Sequence, residues 1–139
     1  MSATATKAPA INQLWPEQGG IYIGDRLIDG KVHHIIIPGG TEFDIEACHN
    51  NAAERIAAKG EINGFSDWRN GSQEDYMLAY INARDKFNQG GVESIYVSST
   101  PYGSCFAWAV GFEYGSVGCW GRSSGFLVRP FRSIIASSI

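Results

Sequence analysis

At 139 residues with 44% hydrophobic content, the chain can bury the core of one domain without disulfide or metal staples. Only 18% of its residues are charged and the formal net charge is −3, which leaves no basic footprint for nucleic acid or an anionic membrane. No apolar run approaches the roughly 20 residues a bilayer crossing needs, and Met1–Ala10 has neither the basic start nor the apolar stretch of a secretory signal, so the expectation is a soluble protein made in the cytoplasm, without membrane insertion.

Seventeen glycines beside 12% aromatic residues suggest turn-dense sheet rather than a helical bundle. The three cysteines, Cys48, Cys105 and Cys119, have no metal-like spacing and are odd in number, which argues against a closed disulfide framework. They read as small, buried or half-buried apolar residues; a bridge between two of them stays open for a protein that matures outside the cytoplasm.

In chain order, residues 1–16 form a Ser, Ala and Thr-rich stretch with no periodicity, read as an extended arm that docks on a partner, ahead of one domain over residues 17–139. Gly20 to Ile37 reads as a hairpin: Ile21-Tyr22-Ile23 and Leu27-Ile28 lead into Asp29-Gly30 and Val32 to Ile37 runs back, the dipeptide accepting the positive φ angles of a type I′ turn. His33 and His34 then point to opposite faces and form no paired metal site. Thr41 to Lys59 carries Ile45, Cys48, Ala52 and Ile56 at helical spacing, with Thr41 or Asp44 as cap and Gly60 as stop, which predicts a first helix. His49 lies just off that stripe with no ligand partner and reads as structural.

Gly64 to Gly71 is a compact loop. A second helix follows from Ser72 to about Phe87, opened by Ser72 and Asp75 as a capping box, with Met77, Tyr80, Ile81 and Phe87 as its inner stripe. From Ser94 onward, short apolar runs cut by Gly, Ser and Pro predict small antiparallel strands. Phe106, Trp108, Val110 and Phe112 alternate strictly with Ala107, Ala109 and Gly111, giving one hydrophobic wall and one face small enough for close approach. A hairpin turning at Glu113-Tyr114-Gly115 places Cys105 opposite the neighbourhood of Arg122 rather than Cys119. The fold class expected is α+β: an N-terminal hairpin, two helices, then a short-stranded antiparallel sheet.

No nucleophile sits in a recognisable setting, no glycine-rich stretch ends in a phosphate-loop Gly-Lys-Ser/Thr, and no carboxylate pair shares a loop. The expectation is a protein that is not an enzyme and that uses neither metal nor cofactor.

Gly64-Phe65-Ser66-Asp67-Trp68-Arg69, Ile95-Tyr96-Val97-Ser98-Ser99-Thr100, Ala107-Trp108-Ala109-Val110-Gly111-Phe112-Glu113-Tyr114-Gly115 and Val128-Arg129-Pro130-Phe131-Arg132 together resemble a family of bacterial and phage domains found at the C-terminus of a collagen-like adhesin. The opening Trp15-Pro16 and Gly19-Gly20-Ile21-Tyr22 are similar to the version in tailed-phage and prophage genomes. The resemblance spans Trp15 to Arg132. Asn70-Gly71 replaces the family's usual Leu-Pro, and Val97 its usual Trp. The resemblance implies a C-type-lectin-like fold, without the sequences of calcium-dependent sugar binders. It also implies a virion protein at a tail tip, baseplate or fibre, assembled in the host cytoplasm beside other virion proteins and copies of itself, that recognises a host-surface glycan or protein.

The residues expected to carry that recognition are Tyr102, Glu113, Tyr114, Trp120, Arg122 and Ser123, aromatic and Arg anchors among adaptable Ser and Gly. Trp108 and Phe112 are expected in the core, Trp68 and Arg69 as a fold-stabilising pair, and Arg129 and Arg132 as polar edges of the last strand. Two rival readings are a capsid or tail decoration protein, and the variable ligand-binding protein of a diversity-generating system.

Overall fold

The computed structural model of the protein describes residues 7–136. Asp29 and Gly30 have φ angles of 52° and 79°, the left-handed pair of a type I′ turn. They join β2 (Gly20–Ile28) to β3 (Lys31–Ile37), as the dipeptide predicts. Ahead of this hairpin, β1 (Gln13–Trp15) pairs antiparallel with β2, Leu14 opposite Ile21. The end of the expected arm is therefore a strand of the domain itself, pinned by Trp15 at 1% exposure. Removing an indole of roughly 150–250 Å² from water is worth about 4–6 kcal/mol, which is enough to hold three residues in place. Residues 1–6 of that arm lie outside the described residues.

Five strands make the base sheet, in the order β1, β2, β3, β10 (Pro130–Ile135) and β5 (Arg69–Asn70), all antiparallel. Five more make the outer sheet: β4 (Ile45–Ala47), β9 (Phe126–Val128), β6 (Ile95–Tyr102), β7 (Phe106–Gly111) and β8 (Ser116–Gly121). Its pairs are antiparallel except β9 with β6, which run parallel with Leu127 opposite Tyr96. With α1 (Ala52–Ala57) and α2 (Gln73–Ala83), the architecture is mixed α+β.

The long helix expected over Thr41–Lys59 is not formed. Thr41–Phe43 is a single 3₁₀ turn and Ile45–Ala47 is strand β4, paired through Ile45 with Val128 and through Ala47 with Phe126. Ile45 and Ala47 are buried while Glu46 is exposed, a period of two that the helical spacing of Ile45 and Cys48 concealed. Only Ala52 and Ile56 keep the predicted role, as the buried side of the short α1.

The second helix starts as predicted. Ser72 Oγ accepts from the Asp75 N–H at 3.1 Å, and Asp75 Oδ2 accepts from the Ser72 N–H at 2.9 Å, a reciprocal capping box. Its inner stripe differs: Tyr76, Ala79 and Ala83 are buried, whereas Ile81 is 64% exposed and Met77 and Tyr80 are half-buried. Phe87 is buried beyond the helix end and stacks on Phe112 with centroids 4.3 Å apart. Tyr76 stands at the centre of this core, edge-on to Phe87, Phe112 and Phe131.

The final hairpin has the predicted register, with Phe106 opposite Gly121 and the Arg122 N–H donating to the Cys105 carbonyl. The hydrophobic wall is split, however. Val110 and Phe112 are buried under α2, but Trp108 is half-buried and Phe106 is 47% exposed, because α2 covers only the inner half of that face. On the other face the small Ala109 packs with Val97 and Val128, the close approach its size permits.

Arg129 and Arg132 are not edge residues. Arg129, between β9 and β10, is fully buried, and Arg132 is 6% exposed with its guanidinium 3.7 Å from the Phe65 ring. Trp68 and Arg69 do stabilise the fold: Trp68 Nε1 donates to the carbonyls of Ile62 and Phe65, and Arg69 pairs with Asp75 at 2.7 Å.

Candidate functional site

Three strand ends meet at one pole of the outer sheet. Tyr102 closes β6 opposite Phe106, and Phe106 lies opposite Gly121, after which the chain turns through Arg122 and Ser123. Cross-strand partners share a face, so Tyr102, Phe106 and Trp108 lie on one side and Trp120, opposite Ala107, on the other. Tyr102 packs on Trp108 with centroids 4.6 Å apart, and Trp120 meets the edge of Phe126 at 4.9 Å. Tyr102 remains 48% exposed and Trp120 43%. Fixed by neighbouring rings and by the ladder, these side chains offer contact area with little freedom left to lose.

Arg122 acts differently from the expectation. Its Nε donates to the Phe106 carbonyl at 3.2 Å and its Nη2 to the Gly103 carbonyl at 2.5 Å. The guanidinium clamps the 103–106 turn and shapes the pole. Glu113 and Tyr114 are not part of this cluster. They occupy the turn at the opposite end of the hairpin, roughly 17 Å away along the strand, where the backbone at Gly115 lies against the Tyr80 ring. Tyr114 is 81% exposed there.

Ser123 opens onto a cleft of about 470 Å³ whose walls include Glu46, Cys48, Asn51, Arg55, Glu93 and Phe126. Strand β4 supplies Glu46, α1 supplies Arg55 and the segment after β8 supplies Ser123 and Phe126. The turn between β4 and α1 is fixed from three sides: the Asn51 side-chain oxygen accepts from the Cys48 N–H at 2.8 Å, His49 Nδ1 lies 2.9 Å from the Ser98 carbonyl, and the Asn50 N–H donates to the Arg122 carbonyl at 3.1 Å. Arg55 donates to the Glu46 carbonyl at 3.2 Å. Carboxylate, amide and guanidinium groups around a phenyl floor can hydrogen-bond hydroxyl or amide groups while an apolar face rests on the ring.

The cleft residues Glu46, Asn51 and Arg55 escape the sequence reading because they fall inside the helix it assigned, where they look like an ordinary solvated side. A β-period over Ile45-Glu46-Ala47 was the available signal. Away from the cleft, the Tyr22 hydroxyl donates to Asp25 at 2.6 Å, and His34 Nδ1 lies 2.6 Å from the same oxygen. Burial, with the Asp25 charge adding to it, pushes the Tyr22 pKa up. Cys48, Cys105 and Cys119 carry free thiols, the last two exposed. Among the described residues no helix is long and apolar enough to cross a membrane, and no group of three or more His, Cys, Asp or Glu side chains is arranged to hold a metal ion.

The chain matches no family model, and no curated protein matches it significantly.

Proposed function

We propose that the chain is a non-enzymatic binding module of C-type-lectin-like fold, carried on a phage particle, that recognises a host-surface glycan or protein through the Tyr102–Trp120 pole and the adjoining cleft. The observation that carries this reading is the pairing of half-exposed, ring-packed aromatics with a polar cleft at one end of a rigid sheet. The residues that resemble the adhesin-associated family support it too, since each has a stabilising job: Asp67 pairs with Arg132 at 2.5 Å, Trp68 and Arg69 anchor the loop before α2, and Arg129 holds the centre. The chain's place is on the virion, among other virion proteins and further copies of itself.

Adsorption of labelled protein tests the reading. Wild-type protein is expected to bind host cells saturably, with Trp120→Ala and Tyr102→Ala reducing binding while the melting temperature holds. Labelled protein that ignores host cells but coats particles lacking it would replace host recognition with a cementing role.

A further inference from the structure

The outer sheet ends at β8, and among the described residues no strand pairs with its far side. Every residue of β8 is exposed or half-exposed. Because the Arg122 N–H bonds back to Cys105, alternation along the ladder aims the N–H and C=O groups of Val117, Cys119 and Gly121 away from β7. Such an edge is a template for another strand, and proteins commonly blunt it with charge, proline or a bulge. Ser-Val-Gly-Cys-Trp-Gly has neither charge nor proline, and its pairing with β7 runs without a bulge.

We infer that β8 pairs with β8 of a second copy, antiparallel about a two-fold axis at Cys119, joining the two outer sheets edge to edge. Four features select a second copy as the occupant. A two-fold axis perpendicular to the sheet keeps like faces together, so only residues of equal parity meet. In the register centred on Cys119, Trp120 falls opposite Gly118 and Val117 opposite Gly121, so each large side chain meets a glycine. The space where a side chain on Gly118 would stand is open, so nothing blocks the approach of a neighbouring strand there. Finally, an uncharged strand does not repel its own copy.

The joined sheet would present two binding poles on one rigid frame, which raises avidity for a repetitive surface without any new ligand contact. The inference rests on the reading of the chain as a homo-oligomer and is independent of its ligand: failure to bind cells would leave it intact.

Sedimentation of the full-length chain tests it, with Cys119→Lys and Cys119→Asp as variants that set like charges across the axis. The expected result is a concentration-dependent wild-type dimer, loss of dimer in each variant alone, and its return when the two are mixed in equal amounts. Return on mixing also shows that both variants are folded. Wild-type protein that stays monomeric at the highest concentration reached overturns the inference, as does a dimer that persists in Cys119→Lys. Variants that stay apart when mixed while retaining wild-type circular dichroism overturn it as well.

Discussion

Arg129 donates from Nε to a carboxylate oxygen of Asp44 at 2.8 Å, across 85 positions of sequence. Its Nη1 and Nη2 reach the carbonyls of Gly39 and Lys86 at 2.8 and 2.9 Å, and the Phe87 ring lies 4.1 Å from the guanidinium. Tyr96 donates to the other Asp44 oxygen at 2.7 Å. A buried charge is tolerable only when it is paired and hydrogen-bonded, and here each of the three guanidinium nitrogens meets an acceptor. Arg129→Ala is expected to cost about 3–5 kcal/mol, the usual loss when one partner of a buried pair is removed. Arg129→Lys should not restore stability, because an ammonium cannot reproduce the planar fork. Urea denaturation of the three proteins measures this.

Asp75 contributes stability that depends on acid pH. Burial raises its pKa, but the Arg69 charge and the hydrogen bonds from Arg69, Arg26 and the Ser72 N–H outweigh it, leaving the pKa below the ordinary value of 3.8. A carboxylate with a depressed folded-state pKa stabilises the fold fully above its unfolded pKa and loses that contribution as pH falls through the folded value. The stability gap between wild type and Asp75→Asn is therefore expected to be widest near neutrality and to shrink as pH drops below 3.8. Urea midpoints of the two proteins across that range check it.

Three tyrosines work in the other direction. Burial raises the pKa of Tyr76, Tyr96 and Tyr22 above the ordinary 10.0. A raised folded-state pKa means the stabilising effect is complete below 10.0 and declines as pH rises beyond it. In alkaline titration, part of the tyrosinate absorbance is expected to appear only together with loss of the far-ultraviolet dichroism. A smooth titration of all six tyrosines ahead of unfolding would contradict the buried positions.

On the surface, Tyr114 is the discriminating control. It is the most exposed of the large apolar residues, yet it sits at the end of the hairpin opposite Tyr102 and Trp120. Tyr114→Ala is expected to leave cell adsorption unchanged, whereas Trp120→Ala weakens it. Equal losses would move the binding surface to the whole length of β7 and β8.

The orientation of α2 gives a stability contrast. Ile81→Glu is expected to change stability by no more than about 0.5 kcal/mol, as surface substitutions do. Ala79→Leu, which inserts three carbons where Ala79 is 0% exposed, should cost about 1–3 kcal/mol through overpacking. Thermal melts of both variants decide between this orientation and the stripe expected from sequence, which would reverse the two outcomes.

Local chemistry was legible wherever a few adjacent residues determine the backbone. Asp29-Gly30 announced its turn, Ser72 and Asp75 announced a helix start, and the spacing of Phe106 to Gly121 gave the register of the last hairpin. Long-range partners were not legible. Arg129 reads as a polar strand edge until Asp44, Gly39 and Lys86 arrive from elsewhere in the chain, and Ile45 reads as helical until Val128 pairs with it. Of the candidate site, Tyr102, Trp120 and Ser123 were found at one pole, but Glu113 and Tyr114 could not be separated from it without knowing the hairpin length in space. Phe106 looked like core because alternation reveals which residues share a face, not how far along that face α2 reaches.

The chain passes from β9 in the outer sheet to β10 in the base sheet through the single residue Arg129. Neither sheet can therefore peel away while the other stays intact, since loosening one drags the closing segment out of both. The domain should melt in one cooperative step, with amides of β3 and β6 exchanging their hydrogens at the same slow, global rate. Such all-or-none behaviour would leave a protease no partly opened form of the domain to cut.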